Sequence, residues 1–203
     1  MKIAVVGASG NAGSRIVAEL SRRGHHVTAI ARAPDKIAAL PNVTARKGDA
    51  LDQAALTELL RGHDAAISSI HFLASDPAKL IGAAKASGVG RYLVVGGAGS
   101  LEVAPGVRLV MTADFPAQYK AEAEKGAAFL DLLRQENDLN WTFLSPSALF
   151  TAGERTGQFR LGTDQLLTAT DGKSWISFED FAVALADEIE RPAHIRARFT
   201  VGY

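Results

Sequence analysis

The segment "VVGASGNAGSRIVAELSRRG" (residues 5–24) joins an apolar stretch to a helical pattern through Gly7, Gly10 and Gly13. The apolar stretch predicts a strand, and the three- and four-residue spacing of apolar residues after Asn11 predicts a helix. In such a unit the first glycine permits a tight turn, the second lets the backbone approach a ligand, and the third lets the helix pack closely. The N-terminus of that helix offers free N–H donors and a positive dipole end to a pyrophosphate.

The spacing of these glycines is Gly-x-x-Gly-x-x-Gly rather than Gly-x-Gly-x-x-Gly, and alone it is a weak signal. Its position at the first strand-to-helix turn, in a chain that alternates strand and helix patterns, makes it specific. We therefore predict a dinucleotide site here. A glycine-rich turn that binds nothing is the alternative.

The rest of the chain repeats the strand–helix alternation, which is typical of βαβ units and a parallel sheet. The predicted strands are residues 2–6, 26–31, 43–48, 65–70, 91–96, 141–146 and 198–203. The predicted helices are residues 11–23, 34–40, 53–60, 76–87, 117–136 and 178–190. Several strands are apolar on both sides, as a sheet covered by helices on both faces requires. We predict an α/β fold with a doubly wound parallel sheet.

Two long irregular stretches, at about residues 96–118 and 147–175, interrupt this rhythm. Each follows a predicted strand, so each should emerge at the carboxyl edge of the sheet, where ligands of such folds bind. We expect them to form the substrate side of a cleft, as a small C-terminal elaboration of a single domain spanning residues 1–203.

Composition narrows the function classes. Lysine plus arginine and aspartate plus glutamate both number 22, so no net charge attracts nucleic acid or an anionic membrane. Cysteine is absent, and no histidine lies in a cluster with ligand spacing, so we predict no metal site. The apolar stretch at residues 2–6 is too short for a signal peptide. We expect a cytoplasmic protein with a small-molecule partner.

Three residues at the ends of predicted strands bear on the nucleotide. Arg32 stands where an NAD-binding fold usually has an acidic residue, and a guanidinium suits the 2′-phosphate of NADP(H). A solvated arginine is the alternative, and NAD(H) then remains an option. Asp49 is placed either to meet the adenine edge or to form a turn before the next helix. Ser69, with Ser68 before it, is in a position to lie along the cofactor.

The chain resembles the atypical short-chain dehydrogenase/reductases, specifically the NAD(P)H-binding group that includes NmrA-like proteins, biliverdin reductase B-like flavin reductases and NADH-flavin reductase-like proteins. The stretches that carry the resemblance are "GASGNAG", "ARAPDKI", "GDALD", "LVVGGAGSL", "APGVRLVMTADFP", "WTFLSPSALF" and "ISFEDFAVALADEIERPAH", and they cover essentially the whole chain. The resemblance implies a Rossmann-type domain. It places Gly7, Ser9, Gly10, Asn11, Ala12 and Gly13 at the pyrophosphate, Arg32 at the 2′-phosphate, Asp49 at adenine, Ser69 and Ile70 at the ribose and nicotinamide side, and Pro146 at the nicotinamide.

Typical short-chain dehydrogenases carry a Tyr-x-x-x-Lys pair, in which the lysine lies on the same helical face and lowers the phenol pKa. The candidate tyrosine here is Tyr119, and the residue four positions on is Ala123. Tyr119 is therefore a candidate acid without its partner, or a wall of the pocket, or a surface residue. Reduction of an aliphatic ketone needs a positioned proton donor, whereas a flavin or quinone spreads the incoming charge.

Other pocket candidates follow the predicted strands. His71 could donate a proton and Phe72 could stack on a flat acceptor, or they are a loop histidine and a core phenylalanine. By the resemblance, Ser100 holds a substrate carbonyl; otherwise it caps a turn. Phe115 and Phe150 are candidate cleft aromatics or core residues.

These observations favour an NAD(P)H-dependent reductase that passes hydride to a flavin or quinone, acting as a monomer or homodimer. The alternative is a non-catalytic NmrA-like NADP(H) sensor. An isomerase or epimerase is less favoured, because the chain lacks the larger C-terminal substrate domain of such enzymes.

Overall fold

The computed structural model describes all 203 residues. Its strands are β1 (Lys2–Val6), β2 (His26–Ala31), β3 (Val43–Lys47), β4 (Ala65–Ser68), β5 (Arg91–Val95), β6 (Glu102–Ala104), β7 (Val107–Arg108), β8 (Trp141–Pro146), β9 (Leu149–Thr151), β10 (Arg160–Gly162), β11 (Trp175–Ser177) and β12 (Ala197–Gly202). Its helices are α1 (Asn11–Arg22), α2 (Gln53–Leu60), α3 (Pro77–Ser87), α4 (Ala117–Leu133) and α5 (Phe178–Glu190). Short 3₁₀ turns occupy Pro34–Lys36, Phe72–Ala74 and Leu109–Met111.

The central sheet has eight strands in the order β10-β12-β8-β5-β4-β1-β2-β3. All neighbouring pairs are parallel except β10 with β12, so the sheet ends in one antiparallel edge strand. The chain leaves β1 toward β2 and β3, and then continues from β4 in the opposite direction. The strand order therefore reverses between β1 and β4, and the carboxyl ends of these two strands open the crevice in which such folds bind ligands.

Helices cover both faces of the sheet, and each face has its own apolar core. On one face α1 and α5 pack through residues that include Ile16, Leu20 and Phe181. On the other face α2, α3 and α4 contribute Leu56, Leu80 and Phe129, among others. The predicted doubly wound α/β fold is confirmed. No helix combines the length and apolar character needed to cross a membrane.

The predicted helix at residues 34–40 is wrong in extent. Only the three residues Pro34–Lys36 form a 3₁₀ turn, no side chain caps its N-terminus, and Ile37 is already extended. None of these three residues is buried, and Ile37 and Leu40 contact the core from beyond the turn, so their packing does not require a helix. Helix α4 also ends at Leu133, three residues before the predicted end.

The two predicted irregular stretches contain short strands that the sequence did not indicate. Strands β6 and β7 form an antiparallel pair with a bulge in the first stretch, and β9 pairs in parallel with β11 in the second. Each strand has only two or three residues, which is too short to show a period. Both stretches lie at the carboxyl edge of the sheet, because they follow β5 and β8.

Candidate functional site

Two of the three glycines are required by close backbone contacts. Gly7 has a φ of +85°, and a Cβ there would lie 2.1 Å from the Ser69 carbonyl oxygen. A Cβ on Gly13 would lie 2.2 Å from the Gly7 carbonyl oxygen. Gly7 therefore lets the loop after β1 pass over the end of β4, and Gly13 lets α1 sit against that loop.

Gly10 has a different environment, because the nearest atom to a Cβ at this position is the Gly7 oxygen at 3.3 Å. The space beyond it belongs to the crevice. No side chain caps α1, and the N–H groups of Asn11, Ala12 and Gly13 have no acceptor in the chain. The N-termini of α2, α3 and α5 are instead capped by Asp52, Asp76 and Ser177. Free backbone donors around an open glycine fit the pyrophosphate of a dinucleotide.

One end of the crevice suits an adenosine. A cavity of about 190 Å³ lies between the glycine loop and the ends of β2 and β3. Arg32 and Asp49 line it together with Ser69 and Ile70. Arg32 is exposed and forms no ion pair. Asp49 accepts a hydrogen bond from the Leu51 N–H at 2.9 Å, so it forms the turn that was its alternative role while also facing the cavity.

The crevice continues past the N-terminus of α1 into a second cavity of about 390 Å³. Gly10, Ser69, Ile70 and His71 line both cavities. The second cavity is also lined by residues predicted from the resemblance, namely Asn11, Ala12 and Pro146. Of the predicted cofactor residues, Gly13 alone lines neither cavity, because it packs against the backbone of Gly7. The two cavities together form one groove, which we call the nucleotide groove.

A third cavity of about 610 Å³, the acceptor cavity, adjoins the nucleotide groove. The two share Phe72, Gly97, Ala98, Glu122 and Ala148 as a common wall. The acceptor cavity is bounded by the segment before α4, by α4 itself, and by both sides of the β9–β11 pair. Its predicted residues are Phe72, Phe115 and Tyr119.

Tyr119 reaches the acceptor cavity but has no basic partner there. It is 61% exposed on the first turn of α4, and Ala123, one turn further along, also lines the cavity. No lysine or arginine lines it. The arrangement therefore lacks the group that would activate a tyrosine as an acid.

The structure corrects the expectation for Ser100. Its side chain is buried, and its hydroxyl accepts a hydrogen bond from the Arg198 guanidinium at 3.3 Å. The backbone turn closed by the Leu101 N–H and the Ala98 oxygen directs Ser100 away from the crevice. Ser100 lines neither the nucleotide groove nor the acceptor cavity, so it is not placed to hold a substrate carbonyl.

The predicted aromatics have different surroundings. Phe72 is only 8% exposed and packs against Phe129 and Phe143, so it is a core residue with one edge at the common wall. Phe150 lines the nucleotide groove beside Phe178, with ring centroids 4.5 Å apart. Phe178 was not predicted, because its position at the start of an amphipathic helix indicates a core role.

Glu122 is a further residue that sequence reasoning missed. Its carboxylate accepts hydrogen bonds from the Phe72 N–H at 2.7 Å and the Leu73 N–H at 2.8 Å. The His71 Nδ1 lies 3.3 Å from the same carboxylate. Glu122 thus holds the turn at residues 71–74 against α4. An acidic residue one helical turn after Tyr119 was the available signal.

The acidic residues at the start of α5 hold the second long loop. Glu179 accepts hydrogen bonds from the Gly153 N–H at 2.9 Å and from Arg15 at 3.0 Å. Burial acts to raise the pKa of Glu179, but these hydrogen bonds outweigh it and lower the pKa. Asp180 is fully buried and accepts from the Gly157 N–H at 2.8 Å. These carboxylates keep the loop that carries Phe150 next to the N-terminus of α1.

No group of three or more histidine, cysteine, aspartate or glutamate side chains is arranged to hold a metal ion. The nucleotide groove offers free N–H donors at the start of α1 and the unpaired guanidinium of Arg32. That donor set fits a nicotinamide nucleotide.

Comparison with known proteins agrees with this geometry. The model of a family described as NAD(P)H-binding matches residues 7–192. The Bacillus subtilis protein YwnB is 39% identical over 99% of this chain and 98% of its own length. A Streptococcus pneumoniae structure named "putative NADH-flavin reductase" is 39% identical, with a TM-score of 0.86 over 100% of this chain and 99% of that one. A Bacteroides thetaiotaomicron structure named "putative epimerase" is 38% identical, with a TM-score of 0.95 over 100% of this chain and 96% of that one. From its match to the family model over most of its length, its Rossmann-type fold and its glycine-lined groove, this chain belongs to the NAD(P)H-binding family.

Proposed function

We propose that this protein is an NADPH-dependent oxidoreductase that passes hydride to a flat conjugated acceptor such as a flavin or quinone. The observation that carries the proposal is the common wall between the nucleotide groove and the acceptor cavity. A groove with the donors for a dinucleotide opens directly into a largely apolar cavity that has no tyrosine–lysine pair. The name of the Streptococcus pneumoniae relative supports the same class of reaction.

The proposed preference for NADPH rests on Arg32. Its guanidinium lies at the adenosine end of the groove and has no carboxylate partner within the chain. An unpaired guanidinium is suited to a phosphate group, which accepts two parallel hydrogen bonds from it. NADH has no phosphate at this position and would gain nothing from Arg32.

The residues of the crevice supply positioning rather than acid–base chemistry. A bound NAD(P)H supplies the hydride. Gly97 and Ala98 form part of the common wall where the groove meets the cavity. Pro146 lines the groove, and Phe150 packs with Phe178 at the start of α5. Holding two reactants face to face in this way lowers the entropic barrier to their reaction. A conjugated acceptor distributes the incoming charge and takes its proton from water, so Tyr119 needs no basic partner.

The balanced charge of the chain supports a small-molecule acceptor rather than nucleic acid or a membrane surface. A cytoplasmic location and a monomeric or homodimeric state are part of the same proposal.

The deciding experiment measures NADPH oxidation, by nicotinamide absorbance, with riboflavin, FMN and a panel of small quinones, after nucleotide binding has been established by titration. Turnover with any acceptor is the expected result. Tight binding of NADPH without turnover would contradict the reductase and favour the nucleotide sensor.

Gly10→Asp is the matched inactive variant. A side chain at Gly10 meets only the Gly7 oxygen, and aspartate is a favourable N-cap residue, so the variant should fold. Its carboxylate would occupy the place expected for the pyrophosphate. We expect this variant to lose NADPH binding and turnover together while its thermal unfolding is unchanged or shifted upward.

A further inference from the structure

We infer that the acceptor is an uncharged planar ring system with an apolar substituent, and that an acceptor carrying a phosphate group is disfavoured. This inference rests on the proposed function, and it narrows the acceptor from flat conjugated molecules in general to the uncharged members of that class. Two independent features of the acceptor cavity carry it: an apolar rim and an acidic lining.

The apolar rim consists of Leu73, Met111, Tyr119 and Leu149. These are the four most exposed large apolar side chains of the molecule, at 61%, 72%, 61% and 59% exposure. Tyr119 and Leu149 line the acceptor cavity, Leu73 directly follows the lining residue Phe72, and Met111 directly precedes the lining residue Thr112. Exposed apolar side chains that line a cavity, as those of Tyr119 and Leu149 do, mark a binding surface for an apolar group.

The acidic lining consists of Asp114 and Glu122, which are the only charged residues among those that line the cavity. Glu122 is engaged by the backbone N–H groups of Phe72 and Leu73 and by the His71 Nδ1, which lies 3.3 Å from its carboxylate. Asp114 is exposed and forms no ion pair, so its negative charge is uncompensated. A phosphate in this cavity would face like charge.

The basic residues close to the cavity in sequence do not offset this charge. Lys173 adjoins two lining residues, but its ammonium pairs with Asp171 at 3.0 Å. Arg108 pairs with Asp131 at 3.0 Å. Lys120 follows Tyr119 on α4 and is not among the lining residues. No guanidinium or ammonium group is therefore placed to bind a phosphate here.

The two ends of the crevice favour ligand groups of different charge. The nucleotide groove offers free helix N–H donors and Arg32, which favour anions. The acceptor cavity offers carboxylates and an apolar rim, which favour a neutral apolar molecule. This separation also discourages a second nucleotide phosphate from entering the acceptor end.

The first test compares three flavins that share one ring system. Lumiflavin carries a methyl group, riboflavin an uncharged ribityl chain, and FMN the same ribityl chain with a phosphate. Binding to the protein loaded with NADP⁺ is measured by flavin fluorescence, which requires no turnover. We expect FMN to bind about tenfold more weakly than riboflavin at low salt, a difference of about 1.4 kcal/mol. Lumiflavin reports separately on the ribityl chain. The difference should shrink as ionic strength rises, because salt screens the repulsion. Equal or tighter binding of FMN would overturn the inference.

Asp114→Lys tests the source of this discrimination, with Glu58→Lys as a control of identical charge change. Glu58 lies on α2, is 68% exposed and makes only a surface ion pair with Arg61. We expect Asp114→Lys to abolish most of the FMN penalty and Glu58→Lys to leave it unchanged. An equal effect of both variants would show that net charge, rather than the cavity, determines the preference.

Leu149→Ser and Met111→Ser test the rim, with Leu161→Ser as the control. Leu161 is 53% exposed on β10 and does not line the cavity. The probe is a naphthoquinone carrying an alkyl chain. The rim variants should weaken its binding about fivefold, because about one buried methylene group is lost from the contact. The control variant should bind the probe as tightly as the unsubstituted protein. If the rim variants instead leave binding unchanged and convert a dimer to a monomer in sedimentation, the rim covers a second copy of the chain and the inference fails.

These outcomes separate the inference from the proposed function. Preferential binding of the uncharged flavin without NADPH oxidation would support the inference and contradict the reductase. Efficient turnover with FMN and lumiflavin alike would support the reductase and contradict the inference.

Discussion

Arg32 directly follows β2 and lines the nucleotide groove, where it is exposed and forms no ion pair. We expect Arg32→Asp to weaken NADPH binding by about 1.5 to 3 kcal/mol, the scale of a lost charge-assisted hydrogen bond, and to spare NADH. Titration of both nucleotides by fluorescence measures the two affinities.

Arg46→Asp is the matched control for this prediction. Arg46 lies on the neighbouring strand β3, is also exposed and does not line the groove. The control should change neither affinity by much, since Arg46 does not line the groove and salt screens an exposed charge. Equal loss of NADPH and NADH in Arg32→Asp would show that Arg32 does not contact the 2′-phosphate.

At the residue scale, sequence reasoning was strongest where backbone geometry demands one residue type. Gly7 and Gly13 could be predicted because a side chain at either position would clash with a backbone carbonyl. Ser100 could not be placed, because the direction of a short turn and the buried partner Arg198 depend on a strand far away in the chain. Asp49 forms a turn by accepting a hydrogen bond from the Leu51 N–H, and it also lines the cavity at the adenosine end of the groove.

At the element scale, the turn at residues 71–74 depends on α4. Glu122 on α4 accepts hydrogen bonds from two consecutive backbone N–H groups of that turn, and the turn forms part of the common wall. Glutamine has one acceptor oxygen and would present its NH₂ group to the other N–H. We expect Glu122→Gln to speed amide exchange at Phe72 and Leu73 and to raise the Kd for NADPH about tenfold.

The control for this prediction is Glu124→Gln, which makes the same chemical change on the same helix. Glu124 is exposed and forms no ion pair. Hydrogen exchange and nucleotide titration should both be unaffected by it. Unchanged exchange at Phe72 and Leu73 in Glu122→Gln would show that the turn keeps its position without Glu122.

The length of an element decided whether it could be predicted. Helices α2 and α5 begin and end where their periodicity and caps indicate, as do β1, β2 and β8. The strands of the two long loops have only two or three residues. Strand β6 pairs with its neighbour β7, whereas β9 depends on β11, which lies more than twenty residues further along the chain. The shape of the acceptor cavity is built from these short elements, so its walls were predicted only as loop positions.

At the scale of the whole molecule, ion pairs connect α1 to the second long loop and to α5. Glu19 on α1 is 5% exposed and accepts hydrogen bonds from Arg22 at the end of α1, from Arg23 directly after it, and from Arg155 of the loop. Arg23 continues the network to Asp187 on α5 at 2.7 Å. The network thus holds the helix that begins at Gly10 against the loop that carries Phe150, on opposite sides of one groove.

This network predicts how stability depends on pH. Burial acts to raise the pKa of Glu19, but hydrogen bonds from Arg155, Arg22 and Arg23 outweigh it and lower the pKa from 4.5 to about 2. Because the folded protein favours the carboxylate, its contribution is complete above the unfolded-state pKa and is lost as the pH falls toward the folded-state value. Each pKa unit corresponds to about 1.4 kcal/mol, so Glu19→Gln should lower the free energy of unfolding by about 3 kcal/mol at neutral pH.

Urea unfolding of the unsubstituted protein and of Glu19→Gln, at neutral pH and at pH 3, measures this effect. The loss in free energy of unfolding caused by Glu19→Gln should fall to about half at pH 3, because that pH lies between the two pKa values. Glu58→Gln is the control, because its exposed ion pair with Arg61 should contribute less than about 1 kcal/mol at either pH. If Glu19→Gln lowers the free energy of unfolding by the same amount at both pH values, Glu19 stabilises the fold through packing rather than through its charge. If the free-energy loss caused by Glu19→Gln becomes smaller as the pH falls, acid weakens the contact between the two sides of the groove. The affinity for NADP⁺, which is stable in acid, should then fall over the same pH interval in the unsubstituted protein and less steeply in Glu19→Gln.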